Sequence, residues 1–221
     1  MMQRLNRESV PKPTCLEKDN AGRRYSDLRK EEKSEIRTRL LEMQHQRCAY
    51  CERRTGTQNT DGHIEHFRKQ ADHPEHELDW SNLFWSCVDE STCGKHKDKC
   101  DRPIGTGPQA TFVFEDIINP CEDDPSDFLL FVSDGTVRPR EELPAAIGKK
   151  ARETLRVFQL ADSAFLQRCR HDAVRPYFGI ISTLLKTSPE LLVEYARNEL
   201  EKIERAPFAT AVCHYFRGLF N

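Results

Sequence analysis

Apolar residues in this chain stand in small groups separated by charged stretches, and their spacing changes along its length. Residues 1–30 hold single apolar positions among polar ones, with Pro11 and Pro13 between them, and read as an extended lead-in. From 26 to 45 the spacing turns helical. Leu28, Ile36, Leu40, Leu41 and Met43 recur amid Arg, Lys and Glu, and Ser26 or Asp27 is the expected cap. Between 47 and 105 periodicity gives way to cysteine and histidine. Gly56 and Asp61-Gly62 mark turns, and the gap between Cys51 and His63 predicts a short hairpin. Trp80, Leu83, Phe84 and Trp85 predict a short helix or strand ending at Cys87.

Beyond the cysteine block, Pro103, Gly105, Gly107 and Pro108 predict a loop, followed by a β-like run, Thr111-Phe112-Val113-Phe114. The stretch from Phe128 to Val132, then Asp134-Gly135, then Thr136-Val137 reads as a small hairpin. From Pro144 onward the pattern is helical. One segment carries Ala151, Leu155, Phe158 and Leu160, and another starts near Asp162 or Ser163. A third follows Ser188-Pro189-Glu190 with Leu191, Leu192, Tyr195 and Leu200 on its face, and a last one follows Pro207. Phe158, Phe165, Tyr177 and Phe178 read as core. The expected organisation is an N-terminal arm and helix over 1–46, a cysteine-rich core over 47–105, and a loop, hairpin and helical region over 106–221.

Composition narrows the class. Of 221 residues, 37% are hydrophobic and 32% charged, so the core is thin for the length. The formal net charge of -2 excludes a uniformly basic nucleic-acid binder, and any such affinity must come from local patches or a partner. Met1-Met2-Gln3-Arg4 leads into polar residues rather than an apolar signal, and no run reaches the ~18 apolar residues of a membrane span. Nine cysteines are an odd count, and Cys48 and Cys51 are too close for an ordinary structural bridge. The expectation is a reducing cytoplasm, with paired cysteines as metal ligands.

Zn²⁺ in structural sites takes four ligands at the corners of a tetrahedron, often four thiolates. Cys48-x-x-Cys51 makes a knuckle with two sulfurs facing one point. Cys87 and Cys93 are the expected second pair, with Cys100 as the alternative to Cys93. Between the pairs lies Glu65-His66. A neutral imidazole can take a proton from water, and a carboxylate can hold a hard cation such as Mg²⁺ or Mn²⁺, the two needs of phosphodiester hydrolysis. Neighbouring residues on a strand face opposite ways, so the pair fits one site best where a kink or turn intervenes.

The order Cys48-x-x-Cys51, Glu65-His66, Asn82, Cys87, Cys93 resembles the zinc-stapled HNH endonucleases. Cys48-Ala49-Tyr50-Cys51-Glu52, Ile64-Glu65-His66-Phe67-Arg68 and Asp79-Trp80-Ser81-Asn82-Leu83 are similar to the PtuB-like HNH proteins of bacterial Septu and retron-associated anti-phage systems. So are Ile118-Asn119-Pro120-Cys121 and Asp124-Pro125, and the likeness runs over roughly residues 40 to 170. The resemblance implies an α+β fold: a small ββα-metal core stapled by a four-cysteine zinc site, with an N-terminal helix and a helical C-terminal region. It implies His66 as general base and Glu65, in place of the more common aspartate, on a catalytic Mg²⁺ or Mn²⁺. It also implies Asn82 orienting the His66 loop, and a zinc that takes no part in chemistry.

The family sets a His or Asn just after the last zinc cysteine, where this chain has Gly94. His96 is the candidate second metal ligand and catalytic residue, and Asp98 the fallback. Lys95, Lys97 and Lys99 are candidate phosphate contacts, as are Arg53, Arg54, Arg68 and Lys69 if they are not simply a solvated face. His63, His73 and His76 fit no ligand spacing and read as surface loop. The implied partners are a nucleic acid, DNA ahead of RNA, and an ABC-type, PtuA-like ATPase of the same operon. Retron versions add a reverse transcriptase with its RNA–DNA product. Two other readings stand beside this one: an inactive zinc-stapled scaffold, motivated by Gly94, and a nuclease acting on RNA such as tRNA.

Overall fold

The computed structural model describes residues 2–17, 20, 22–58, 60–100 and 112–220. The loop expected at Pro103 to Pro108, and Thr111 of the β-like run, lie outside the described residues. The described residues form an α+β protein built on two small antiparallel hairpins. β1 (Gly62–His66) pairs with β2 (Leu83–Cys87), and β3 (Leu129–Phe131) pairs with β4 (Val137–Pro139). The helices are α1 (Thr14–Glu17), α2 (Lys30–Met43), α3 (Cys93–Cys100), α4 (Pro125–Phe128), α5 (Ala145–Val157), α6 (Ala164–Val174), α7 (Pro176–Thr187), α8 (Leu192–Ile203) and α9 (Ala209–Arg217). One continuous cluster of buried apolar residues runs from Met2 to Phe216.

α2 forms where the apolar spacing predicts a helix, and its buried face is Ile36, Leu40, Leu41 and Met43. Each such side chain, removed from water, stabilises the fold by roughly 1.5–3 kcal/mol before entropy. Its start differs from expectation. Ser26 and Asp27 belong to a separate 3-10 turn, Tyr25–Asp27, and the helix begins after Arg29, whose amide donates to the Glu32 carboxylate at 2.8 Å. The lead-in is no free arm. Met2, Leu5, Val10, Cys15, Leu16 and Leu28 are buried, and Arg7 donates to the carbonyls of Ser81 and Leu83 at 2.9 Å while lying over the Trp80 and Phe84 rings. Single apolar residues on a polar lead-in thus serve as anchors.

The hairpin predicted at Asp134-Gly135 is β3–β4, with Gly135 at φ +84° in its turn. A Cβ there would fall 2.9 Å from the Gln167 carbonyl carbon, so the turn packs bare against α6. Fully buried Arg170 of α6 binds the same turn, donating to the Gly135 carbonyl at 3.0 Å and to the Leu160 carbonyl. Phe112-Val113-Phe114 is not a strand: residues 112 and 113 have no regular structure, and Phe114–Asp116 is a 3-10 turn packed on α5. Ser163 caps α6 by accepting from the Leu166 amide. Phe165, expected in the core, is exposed and carries the Arg53 guanidinium over its ring at 4.6 Å. Among the described residues no helix is long and apolar enough to cross a membrane.

Candidate metal centre and active site

The first cysteine pair sits in a tight knuckle. Arg47 bridges Arg54 in antiparallel fashion, the Cys48 amide donates to the Arg53 carbonyl, and the Glu52 amide donates back to the Cys48 carbonyl. Glu52 takes φ +57° to close the turn. The hairpin expected between Cys51 and His63 is therefore wrapped around the cysteines themselves, and residue 62 already belongs to β1. Gly62 is required there, because a Cβ would stand 2.6 Å from Cζ2 of Trp85. β2 ends at Cys87, and α3 starts at Cys93, whose amide is held by the Phe158 carbonyl at 2.8 Å.

The ligand sulfurs of Cys48, Cys51, Cys87 and Cys93 all lie within 4.8 Å of one another, and all four residues are buried. Cys51 Sγ and Cys87 Sγ stand 4.0 Å apart. Zn–S bonds of ~2.3 Å in a tetrahedron place sulfurs about 3.8 Å apart, so the donor set fits a structural zinc ion. Cys93 fills the fourth corner. Cys100 lies elsewhere, its sulfur 3.4 Å from Nδ1 of His96.

β1, β2 and α3 carry the remaining site residues. On β1, His63 and Glu65 share one face and His66 takes the other, as strand alternation requires. His66 is 8% exposed and lies edge-on to the Tyr25 ring, centroids 4.8 Å apart. Its Nε2 is 3.1 Å from the Glu77 carbonyl oxygen. A carbonyl only accepts, so Nε2 carries the proton and Nδ1 keeps its lone pair. Burial pushes the His66 pKa below the ordinary histidine value, against the pull of Glu65, so the ring is neutral at pH 7.

The chain just after His66 is braced by Asn82. Its Oδ1 accepts from the Arg68 amide at 2.6 Å, and its Nδ2 donates to the Arg68 and His76 carbonyls, both at 3.0 Å. One side-chain amide thus pairs both backbone groups of Arg68, much as a neighbouring strand would.

Glu65 is 2% exposed and doubly engaged. Oε1 is 2.8 Å from Nζ of Lys97, and Oε2 is 3.1 Å from Nε2 of His63. Burial alone would raise its pKa, but Lys97 and His63 hold the carboxyl down at about 2. Lys97 is wholly buried, one helical turn beyond Cys93 on α3, and its Nζ also donates to the His66 carbonyl at 2.8 Å and the Phe67 carbonyl at 3.3 Å.

The burial of Lys97 rules out the phosphate contact expected of it. The other expected phosphate contacts are mostly neutralised. Lys99 and Lys95 approach Glu90 at 3.0 and 3.9 Å, Arg53 meets Asp89 at 2.8 Å, Arg68 meets Glu115 at 3.2 Å, and Lys69 donates to the Asp98 carbonyl. Arg54 is exposed. His96 turns toward α5, where its Nδ1 is 2.8 Å from the Val157 carbonyl. Asp98 lies 3.3 Å from Lys97 Nζ. Among the described residues the four cysteines are the one group of three or more His, Cys, Asp or Glu ligands close enough to share an ion.

Sequence reasoning misses two members of this cluster. His63 is the Glu65 partner rather than a loop residue, and its i,i+2 spacing on an alternating strand is the available signal. Lys97 stands at i+4 from Cys93, on the face that this cysteine turns inward. His73 and His76 form local pairs, with Glu75 at 3.3 Å and Asp79 at 2.7 Å.

No protein-family model matches the chain. It is similar to a Septu protein. The identity to the Septu protein PtuB of Bacillus thuringiensis is 32% over 94 residues, which is 42% of this chain. The matched stretch is 32% of that protein, so the chain spans about a third of the length of the relative it matches.

Proposed function

We propose that this chain is a zinc-stapled HNH-type endonuclease, the effector of an anti-phage system that acts with an ABC-type ATPase. The similarity to a Septu protein supports the defence role and a partner from the same system. The observation that carries the nuclease reading is the state of His66. Its Nε2 proton is committed to the Glu77 carbonyl, its Nδ1 lone pair is left for a proton, and burial keeps the ring neutral. That is what a general base needs to activate a water for attack on phosphorus. Asn82 holds the backbone that follows the base, a positioning role through Arg68 and His76. The four-cysteine cluster would hold zinc and fix β2 against α3. The ion-paired flanks leave little free positive charge beside the site, which supports a partner supplying much of the nucleic-acid grip.

The divalent cation expected at Glu65 does not fit the residues as placed. Oε1 lies 2.8 Å from the Lys97 ammonium although it accepts no well-directed hydrogen bond, Oε2 lies 3.1 Å from His63, and His96 is bound to α5. Glu65 is therefore given no metal. That same arrangement favours a second reading, a zinc-stapled scaffold without nuclease activity. One experiment separates them: cleavage of plasmid, single-stranded DNA and total RNA by wild type and His66→Ala, alone and with the partner ATPase. A nuclease predicts cleavage by wild type and a loss of about 10²-fold or more in the variant. Equal cleavage by both proteins sinks the assignment of His66, and no cleavage by either leaves the scaffold. The substrate arms decide between DNA and RNA.

A further inference from the structure

The ammonium of Lys97 sits in a ready-made oxygen cage. Its four neighbours are Glu65 Oε1 at 2.8 Å, the His66 carbonyl at 2.8 Å, Asp98 Oδ1 at 3.3 Å and the Phe67 carbonyl at 3.3 Å. Two carboxylates and two carbonyls are the ligand chemistry of a hard cation. The spacing suits nitrogen rather than Mg²⁺, which demands oxygens at ~2.0–2.1 Å. The helix is shaped for this arrangement. Gly94 leaves room for Glu65 to lie against α3, since a Cβ there would stand 2.6 Å from the Glu65 carboxyl carbon. Lys97 itself is 0% exposed, so it touches no substrate.

We propose that the Lys97 ammonium is the resident cation of this site, filling the cage of Glu65, Asp98 and the His66 and Phe67 carbonyls, so that the native chain binds no divalent cation at Glu65 and gains that capacity when Lys97 is removed. The inference deepens the nuclease reading and rests on it for the meaning of Glu65. Lys97 is a positioning residue: through two carbonyls it fixes the backbone of the base and of the residue after it. The Glu65–Lys97 pair is out of water, where an ion pair needs its partners complete, and half-exposed Asp98 adds a second carboxylate to the same ammonium. A divalent ion would first have to displace a buried ammonium and then find its own ligands among the same atoms.

The test is Mn²⁺ binding to the zinc-loaded full chain, read by loss of the free-ion paramagnetic resonance signal. The proteins are wild type, Glu65→Gln, Lys97→Met and the double variant. Expected is no uptake by wild type, one equivalent taken up by Lys97→Met, and loss of that equivalent in the double variant. Uptake by wild type that disappears in Glu65→Gln overturns the proposal, and so does a folded Lys97→Met that takes up none. If Lys97→Met is unfolded without metal, its melting temperature is followed against Mn²⁺. A Glu65-dependent rise supports the proposal, and the absence of a rise overturns it. No substrate enters these measurements, so failure to cleave nucleic acid leaves them unaffected.

Discussion

The carboxyl carbon of Glu65 stands 2.6 Å from where a Cβ on residue 94 would be. The bare helix position and the long acid are one arrangement, because an acid lying flat on α3 can reach Lys97 only if residue 94 has no side chain. Gly94→Ala should lift Glu65 off the helix and break its pairing. Overpacking of this kind costs about 1–3 kcal/mol, more than the ~1 kcal/mol that alanine gains over glycine in a helix. Urea denaturation should show wild type more stable than Gly94→Ala. In a Glu65→Ala background the same change should become neutral or favourable, a non-additivity that identifies the contact.

Zinc removal should unfold the protein. The four thiols are buried together in a chain that is only 37% hydrophobic, and structural zinc contributes its binding energy to folding. A strong chelator, or Cys48→Ser, should abolish cooperative melting followed by circular dichroism. Metal analysis of the folded wild type should return one zinc per chain. A cooperatively folded Cys48→Ser would show that the cysteines are not the staple.

His214 on α9 makes stability depend on pH. Burial, with Arg140 and Arg217 adding to it, pushes its pKa down to about 4. Its Nδ1 accepts from the Phe131 amide at 3.3 Å, so a proton there would face another proton. The folded value lies below the unfolded one, so the unfolded chain binds the proton first as pH falls. Stability is fully present above about pH 6.5 and declines toward pH 4, by roughly 3 kcal/mol from this residue. Denaturant midpoints between pH 4 and 7.5 should carry this slope in wild type. His214→Gln should lose most of it.

Gln44 completes the free edge of β2. Its Oε1 accepts from the Trp85 amide at 2.8 Å, and its Nε2 donates to the Trp85 and Arg47 carbonyls, both at 2.8 Å. Gln44→Leu would leave the Trp85 amide buried without this acceptor, at a cost of about 1–3 kcal/mol. Hydrogen exchange at the Trp85 amide should rise from core-like protection to fast exchange, while α5 amides stay protected.

Much of this is legible in the sequence, and the failures have physical reasons. The α2 stripe and the turn at Asp134-Gly135 are local signals, and tertiary packing leaves them in place. The CxxC knuckle and its second pair are readable because four thiols that converge on one point impose a spacing. The α2 cap is misplaced because Glu32 reaches back to Arg29, which outcompetes Ser26 and Asp27 just before it. α6 and α7 are not separated: Pro176 opens the second helix directly after Arg175, with no loop residues to mark the break. The lysines of Lys95-His96-Lys97-Asp98-Lys99 read as phosphate contacts, and only a three-dimensional neighbour, Glu65, makes one of them a core residue.

The knuckle leans on residues far downstream. Arg47 donates to the Ala206 carbonyl at 2.9 Å, and the Glu52 carboxylate receives the backbone amide and the hydroxyl of Thr210 at the start of α9. During synthesis all four clustered cysteines are made well before Thr210. A nascent chain can therefore gather its four thiols while Glu52, buried in the finished protein, is still a bare charge in water. Closure of the knuckle's back waits for the last helix, and a fragment ending after the cysteines would carry the staple without the lid that keeps it dry.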